Sequence, residues 1–257
     1  EERLNREKFT KKFPILSIKK IFQEEKISLS NIDFVTVGWD PSKHMVRYNP
    51  LISSFRSLRE HNFYTVSDNL LNLKSDRNLG SFTQISHDEK KFPRIYHINH
   101  HLSHAANGFY LSNFKSASIL TCDFRGEHES TTFNLGENNK INKIESHNLP
   151  NSLGKLYATF TELLGYRSDS DEWKVMAMSS YAYNCKDEIK KIRKCYTLSD
   201  NGKFELAAKY FEYSNLGNNN HHYTQEMLEL FNINEVNYNA KPSKKQIKIA
   251  KALQICS

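Results

Sequence analysis

Two neighbouring segments decide the fold and the chemistry of this chain: His100-His101-Leu102-Ser103-His104-Ala105-Ala106 and Ser118-Ile119-Leu120-Thr121-Cys122-Asp123. The first predicts the start of a helix. Residues four apart share one helix face, so His100 and His104 can reach one metal ion together. The second predicts an apolar strand, and Asp123 at its end can bring an oxygen ligand to the same point. Two imidazoles and one carboxylate suit non-haem Fe(II) or a similar divalent ion.

The histidine pair alone is not specific. The chain has 11 histidines in 257 residues, so a pair at this spacing also arises by chance. Histidines at the surface, or satisfied within the core, are the alternative on spacing alone. A generic divalent-metal hydrolase is disfavoured, because no glutamate stands beside the first histidine as in the H-E-x-x-H motif.

Three later segments supply a context for the pair. In chain order they are Asp123-Phe124-Arg125-Gly126-Glu127-His128-Glu129-Ser130-Thr131-Thr132, Pro150-Asn151-Ser152-Leu153-Gly154-Lys155-Leu156-Tyr157 and Asp171-Glu172-Trp173-Lys174-Val175-Met176-Ala177-Met178. This order resembles the N-terminal domain of the O-carbamoyltransferases, the nodulation-protein and antibiotic-carbamoylating family. That family shows a His-His-x-x-His-Ala segment, an Asp-Gly-x-Gly-Glu turn, a Ser-Leu-Gly-x-x-Tyr helix start and a Glu-Tyr-Lys-Val-Met-Gly segment. The opening Glu1-Glu2-Arg3-Leu4-Asn5-Arg6-Glu7-Lys8 resembles its Glu-Glu-Arg-x-x-Arg-x-Lys stretch.

The resemblance implies a fold that periodicity alone describes only as α/β. It implies part of a ribonuclease-H-like, actin-type ATPase (ASKHA-like) lobe, with a mixed sheet and flanking helices. We expect residues 1–257 to be an incomplete N-terminal domain, truncated at both ends. Within it, residues 1–183 would form the α/β lobe, and residues 184–257 a mainly helical segment leading into a missing second lobe.

The resemblance also implies an activity. A C-terminal domain of the family makes carbamoyl-adenylate from carbamoyl phosphate and ATP, and the N-terminal domain moves the carbamoyl group onto a hydroxyl of a sugar or natural product. We therefore expect an ATP-linked carbamoyltransferase that uses Fe(II) or a similar metal, with Mg²⁺ as a further candidate, and a fragment that is inactive alone. The alternative is a non-catalytic sugar-binding or scaffolding relative that keeps the fold.

The same resemblance assigns roles to individual residues. The metal ligands would be His100, His104 and Asp123, and the catalytic residues Glu127 and Lys174. Substrate-binding residues would be His101, Gly126, Ser152 and Gly154. Plainer roles compete: core packing for the second histidine, a hairpin glycine, a helix N-cap for the serine, and surface positions for Glu127 and Lys174. A histidine bound to metal cannot act as general base, so the base would be another group.

Three departures from the family pattern stand out. Phe124 and Ala177 occupy positions where the family usually has glycine, and Ser180-Tyr181-Ala182 stands where it has Pro-Tyr-Gly. Glycine at 124 would permit a backbone conformation or a close ligand approach that phenylalanine resists. A different acceptor or lost activity would follow.

Apolar spacing predicts the remaining elements. The predicted strands are a buried one from Phe34 to Trp39, one at Arg94 to Ile98, and three antiparallel ones at Ser118–Asp123, Ser130–Leu135 and Ile141–His147. The predicted helices contain Ile15 to Phe22, Asn49 to Tyr64, Asp187–Tyr196, Leu206–Tyr213, Tyr223–Phe231 and Ser243–Ser257. Residues 67–91 read as a long loop, and Trp173, Val175 and Met176 as core.

Charge and composition limit the partners and the compartment that we expect for this chain. The formal net charge is +7, with lysine-rich patches at 186–194 and 241–251 that we interpret as solvated helix faces. We expect no nucleic-acid partner, because no recognised motif or aromatic–basic interleaving is present. No apolar run approaches the ~20 residues that span a bilayer, so we expect no membrane partner. Four scattered cysteines favour a reducing cytoplasm. The oligomeric state is open, a homodimer included.

Overall fold

The predicted three-stranded antiparallel sheet is present, and Asp123, one of the expected ligands, directly follows its first strand. A computed structural model describes residues 1–8, 10, 13–40, 69–70, 93–181, 184–199, 202–213, 221–234, 237–238 and 240–257. The described residues form two compact units, the first ending at His100 and the second beginning at His101.

The described residues of the first unit include two short helices before residue 26 and a pair of parallel strands. Its elements are α1 (Glu2–Asn5), α2 (Ile15–Glu25), a 3-10 turn (Leu29–Asn31), β1 (Phe34–Val37) and β2 (Arg94–His97). Strand β1 pairs with β2 from Phe34–Arg94 to Val37–His97. The prediction of a buried strand at Phe34 was wrong: its residues alternate between exposed and half-buried, and the Phe34 side chain is 59% exposed.

The second unit begins one residue inside a helix, which is followed by an antiparallel meander. Helix α3 (His100–Tyr110) precedes β3 (Ser116–Cys122), β4 (Glu129–Glu137) and β5 (Lys140–Asn148). Strand β4 lies in the middle, and the three strands are joined by short turns as predicted. Side chains alternate across a strand, so Ile119 and Thr121 share one face of β3 while Leu120 and Cys122 share the other.

Helix α3 packs on the face of the sheet that carries Thr121. The buried side chains of α3 are His101, Ala105 and Phe109, which follow the four-residue period of one helix face. Phe109 lies directly over β4, since a Cβ at Gly136 would stand 2.8 Å from its ring. This packing carries the first turn of α3 to the end of β3.

The rest of the second unit is built around a helical core. It comprises α4 (Leu153–Leu163), α5 (Glu172–Met178), α6 (Lys186–Ile192), β6 (Tyr196–Leu198), β7 (Phe204–Leu206), a 3-10 turn (Ala208–Tyr210), α7 (Gln225–Phe231) and α8 (Lys244–Cys256). Phe160 of α4 meets Phe231 of α7 edge to face, with ring centroids 5.3 Å apart. Burial of side chains of this size contributes roughly 1.5–3 kcal/mol each.

Two predictions in this region need correction. The helix predicted at Leu206–Tyr213 is absent; Leu206 instead ends β7, which pairs with β6 as a short hairpin. Phe204 and Leu206 are buried while Glu205 between them is exposed, so the strand period prevails over the helical spacing. The helix predicted at Asp187–Tyr196 ends at Ile192, and Tyr196 begins β6.

Other predictions have mixed outcomes. Val175 is buried, but Trp173 is 57% and Met176 55% exposed, so their placement in the core was wrong. The helix predicted at 49–64 lies outside the described residues, as does nearly all of the loop predicted at 67–91. Within the described part of the chain, no helix combines the length and apolar character needed to cross a membrane.

Candidate metal centre

Helix α3 and the end of β3 bring the three predicted ligands together. The Nε2 atom of His104 lies 3.3 Å from Oδ2 of Asp123. With His100, the first residue of α3, they form a group whose ligand atoms all lie within 4.8 Å of one another. Two ligands bound in cis at ~2.1 Å from one ion stand about 3 Å apart, so the His104–Asp123 distance already suits a shared metal.

The backbone around Asp123 explains how its carboxylate is aimed. Asp123 follows the last residue of β3, and its N–H still bonds to the carbonyl of Ser130, 2.9 Å away. Its Oδ1 accepts the N–H of Phe124 at 2.6 Å. The second carboxylate oxygen is therefore the one that faces His104.

The His100 ring has a partner of its own. Its Nδ1 lies 3.1 Å from the carbonyl oxygen of Gly38, and its ring meets that of Trp39 edge to face. A carbonyl only accepts, so Nδ1 carries the proton and Nε2 carries the lone pair in this tautomer. Metal-binding histidines ordinarily donate their other N–H to such a carbonyl. The donor set and its surroundings thus fit a divalent metal.

His101, predicted to bind substrate, is fully buried instead. Its Nδ1 lies 2.7 Å from Oγ1 of Thr121 and its Nε2 lies 3.0 Å from the carbonyl oxygen of Glu129. Gly126 makes room for this ring, because a Cβ there would lie 2.7 Å from the imidazole Cδ2. Packing accounts for both residues, and their contact with substrate stays a prediction.

Ser152 and Gly154 join the start of α4 to the end of β3. The Ser152 hydroxyl accepts the N–H of Lys155 as an N-cap at 3.0 Å and donates to the carbonyl of Phe124 at 2.7 Å. A Cβ on Gly154 would lie 2.4 Å from the Cα of Phe124. The capping role of Ser152 is confirmed, and anion binding by the helix start stays a prediction.

The two predicted catalytic residues have different surroundings. Glu127 is fully buried in the turn after β3, so the competing surface position was wrong. Lys174 pairs with buried Asp171 at 3.1 Å and lies near the rings of Tyr166, Trp173 and Tyr238. Burial lowers the pKa of Lys174, but its hydrogen bond to Asp171 and the Asp171 charge outweigh this and raise the pKa above its ordinary value. A structural role thus competes with a catalytic one.

A cavity of about 490 Å³ adjoins Asp123. Its wall also includes Phe124, Tyr157, Asp169 and Glu172. Carboxylates accept hydrogen bonds from hydroxyl groups, and aromatic rings cover apolar faces of a ligand. The cavity can therefore hold a hydroxylated molecule beside the Asp123 carboxylate.

Phe124 resolves one of the departures noted in the sequence. It is not among the described residues with positive φ, so it adopts an ordinary backbone conformation without strain. Its ring contacts the His222 imidazole, with centroids 5.9 Å apart, and the Lys155 amine lies 6.0 Å from its centroid. Phenylalanine here fills space that a glycine would leave open.

Sequence reasoning missed the pair formed by Lys155 and His222. The Lys155 Nζ lies 2.5 Å from the His222 Nδ1, and only 6% of the residue is exposed. Burial lowers the pKa of Lys155 to about 8, despite the nearby Glu162. Burial and the Lys155 charge also lower the pKa of His222. The only signal in the sequence was the place of Lys155 directly after Ser152-Leu153-Gly154.

Three known proteins are similar to this chain over between 36% and 83% of its length. A relative from Synechocystis, the uncharacterized protein sll1178, is 28% identical over 223 residues, which is 83% of this chain and 35% of that protein. The nodulation protein NolNO of Sinorhizobium fredii is 29% identical over 209 residues, 80% of this chain and 28% of that protein. The uncharacterized protein MJ1051 of Methanocaldococcus jannaschii is 40% identical over 92 residues, 36% of this chain and 17% of that protein.

The chain thus spans about a third or less of the length of these relatives. A family profile described as Carbamoyltransferase N-terminus matches residues 1–256. The motifs from the histidine segment to the lysine segment all lie inside this match. The chain therefore belongs to the carbamoyltransferase N-terminus family.

Proposed function

We propose that this chain is the metal-bearing part of an ATP-linked O-carbamoyltransferase. The reaction would move a carbamoyl group from carbamoyl phosphate, by way of carbamoyl-adenylate, to a hydroxyl of a sugar or natural-product acceptor. A C-terminal domain that forms the adenylate would be its partner. The observation that carries the proposal is the grouping of His100, His104 and Asp123 within 4.8 Å in a member of this family.

The ligand set defines what the centre contributes. Bound there, Fe(II) would supply a Lewis acid that polarises a carbonyl group. His100 and His104 would be unable to act as general bases while bound, because their lone pairs are engaged. The hydroxyl proton would therefore go to another group. Glu127 and Lys174 remain our proposed catalytic residues, and neither has a described contact with the cavity.

The cavity beside Asp123 supports a hydroxylated acceptor. Asp169 and Glu172 on its wall can accept hydrogen bonds from hydroxyls, and Phe124 and Tyr157 can exclude water from one side. This arrangement would orient an acceptor hydroxyl toward the metal ligand Asp123. The proposed fold, one lobe of the ribonuclease-H-like type, is supported by the antiparallel order β3-β4-β5 followed by α4.

Metal content tests the proposal. We expect the chain, purified without oxygen, to hold close to one Fe(II) per chain, and His104→Ala and Asp123→Ala to lose it. His221→Ala is the matched control, because His221 pairs with Glu162 and is not part of the ligand group. A wild-type chain without metal under these conditions would favour the non-catalytic sugar-binding or scaffolding alternative.

A second measurement tests whether the carbamoyl donor binds close to the metal. We expect the ³¹P line of carbamoyl phosphate to broaden when Co(II)-loaded chain is added, since a paramagnetic ion relaxes nearby nuclei. The His104→Ala chain should leave the line unchanged. A sharp line with fully loaded wild-type chain would argue against donor binding at this metal.

A further inference from the structure

We propose that His101 is a positioning residue that sets the spacing between the two metal-bearing elements, α3 and β3. This inference rests on the proposed metal centre and adds to it a residue that is not a ligand. His101 follows His100 directly and precedes His104 by three positions. Its partner Thr121 lies two residues before Asp123. The hydrogen bond between His101 and Thr121 therefore joins α3 to β3 next to the proposed ligands of both elements.

The Glu129 carbonyl fixes the tautomer of a neutral His101 ring and, with it, the hydrogen-bond directions around the ring. The carbonyl of Glu129 can only accept, so Nε2 donates to it over 3.0 Å. A neutral imidazole then accepts at Nδ1, so the Thr121 hydroxyl donates to it over 2.7 Å. With its proton used in this way, Thr121 accepts from Thr132 at 2.6 Å, and Thr132 accepts from Asn134 at 2.8 Å. A buried chain of hydrogen bonds thus ends at His101.

These bonds exclude His101 from the metal. Both ring nitrogens are engaged with protein atoms, and the residue is fully buried. Consecutive residues on a helix point about 100° apart, which turns His101 toward the sheet while His104 remains 52% exposed at the side chain. The first turn of α3 therefore presents His104 on one side and, on the other, His101, which is hydrogen-bonded to the sheet.

The His101–Thr121 hydrogen bond can influence the ligands because it lies close to them on both α3 and β3. The distance of 3.3 Å between His104 and Asp123 depends on how closely α3 approaches the end of β3. The His101–Thr121 bond is a buried polar side-chain contact between these two elements, close to the centre. Gly126 completes it by leaving space for the ring. Loss of the bond would let the ligands separate, and supporting residues of this kind typically alter metal affinity by about 10–100-fold.

Two substitutions of His101 separate its two bonds. The side-chain amide of His101→Asn lies near the position of Nδ1 and can accept from Thr121, whereas that of His101→Gln reaches toward Nε2 and can donate to Glu129. Thr121→Val removes the joining bond from the other side while keeping the side-chain shape. Thr159→Val is the matched control, because Thr159 is also fully buried and its hydroxyl donates only within α4, to the carbonyl of Lys155.

The readouts are Co(II) affinity by chelator competition and the visible spectrum of bound Co(II), which reports ligand geometry. We expect His101→Gln and Thr121→Val to bind Co(II) about 10–100-fold more weakly, with altered spectra. His101→Asn and Thr159→Val should retain wild-type affinity and spectrum, even where urea unfolding shows them to be less stable.

Three outcomes would overturn the inference. If Thr121→Val and His101→Gln lose stability but keep wild-type Co(II) affinity and spectrum, His101 serves packing alone, and the metal centre stands. If the wild-type chain itself binds no Co(II), the proposed centre and the inference fail together. A loss of affinity in Thr159→Val equal to that in Thr121→Val would likewise assign the effect to stability.

Discussion

Replacement of Lys155 by methionine should change how the stability of the chain depends on pH. Lys155 is 6% exposed, and its amine contacts His222 and lies near the rings of Phe124 and Tyr213. Its pKa falls from the ordinary 10.5 to about 8 because burial penalises the charged form. Methionine keeps most of the side-chain length and removes the charge.

The direction of this pH dependence follows from the number of protons that the folded and unfolded chains bind. Between pH 8 and 10.5 the unfolded chain holds a proton on Lys155 that the folded chain has released, so stability rises with pH across this window. Below pH 8 the penalty is present in full. One pKa unit corresponds to about 1.4 kcal/mol, which puts the whole penalty at about 3 kcal/mol. The His222 contact, worth about 1 kcal/mol, is lost in the variant.

Urea unfolding of wild type and Lys155→Met at pH 7.5, 9 and 10.5 measures this effect. We expect wild type to gain up to about 3 kcal/mol relative to the variant over this range. Other groups, such as Cys195 with its raised pKa of about 12, titrate in both proteins and largely cancel in the difference. Lys174→Met is the control: the pKa of Lys174 is raised above its ordinary 10.5, so its contribution to stability is lost only above about pH 10.5, and this variant should not reproduce the pH dependence of Lys155→Met. A pH-independent difference between wild type and Lys155→Met would refute the reasoning.

Three further predictions concern stability and can be checked by urea unfolding. Gly126→Ala should lower the free energy of unfolding by about 1–3 kcal/mol through overpacking, because the new Cβ would overlap the buried imidazole of His101. Gly108→Ala is its control: a Cβ there would meet nothing within 4 Å, so the change should be neutral or stabilise by up to ~1 kcal/mol. Equal effects of these two changes would contradict the packing. Ser152→Ala should cost about 1–2 kcal/mol through the lost N-cap, and an unchanged midpoint would show that the cap does not matter. Phe231→Ala should cost about 3–5 kcal/mol, and a loss under ~1 kcal/mol would place this ring outside the core.

The parts of the site that could be predicted are those set by local geometry. Histidines at 100 and 104 share a face of any helix that contains both, and the short apolar run before Asp123 is typical of a strand. The predicted ligands therefore meet in the folded chain. The Ser152 N-cap was also within reach, since a serine before an apolar helix has one common use.

Contacts between distant segments could not be predicted. Lys155 and His222 lie 67 positions apart, so no local pattern records their meeting. Helical spacing near Leu206 was misleading for a related reason: pairing of β7 with β6 supplies hydrogen bonds that outweigh the local preference. The exposed Trp173 shows the same limit, because an aromatic residue on a short helix gives no sign of which face the tertiary structure covers.

The two glycines beside the centre constrain the evolution of the chain in different ways. At Gly126 the obstacle to a larger residue is the imidazole of His101, so a second mutation that shortens that side chain could make the first one acceptable. At Gly154 the obstacle is the backbone of Phe124, which every amino acid possesses. A substitution of Gly126 can therefore be compensated by a second substitution at a neighbouring residue. A substitution of Gly154 instead requires the backbone near Phe124 to change its course.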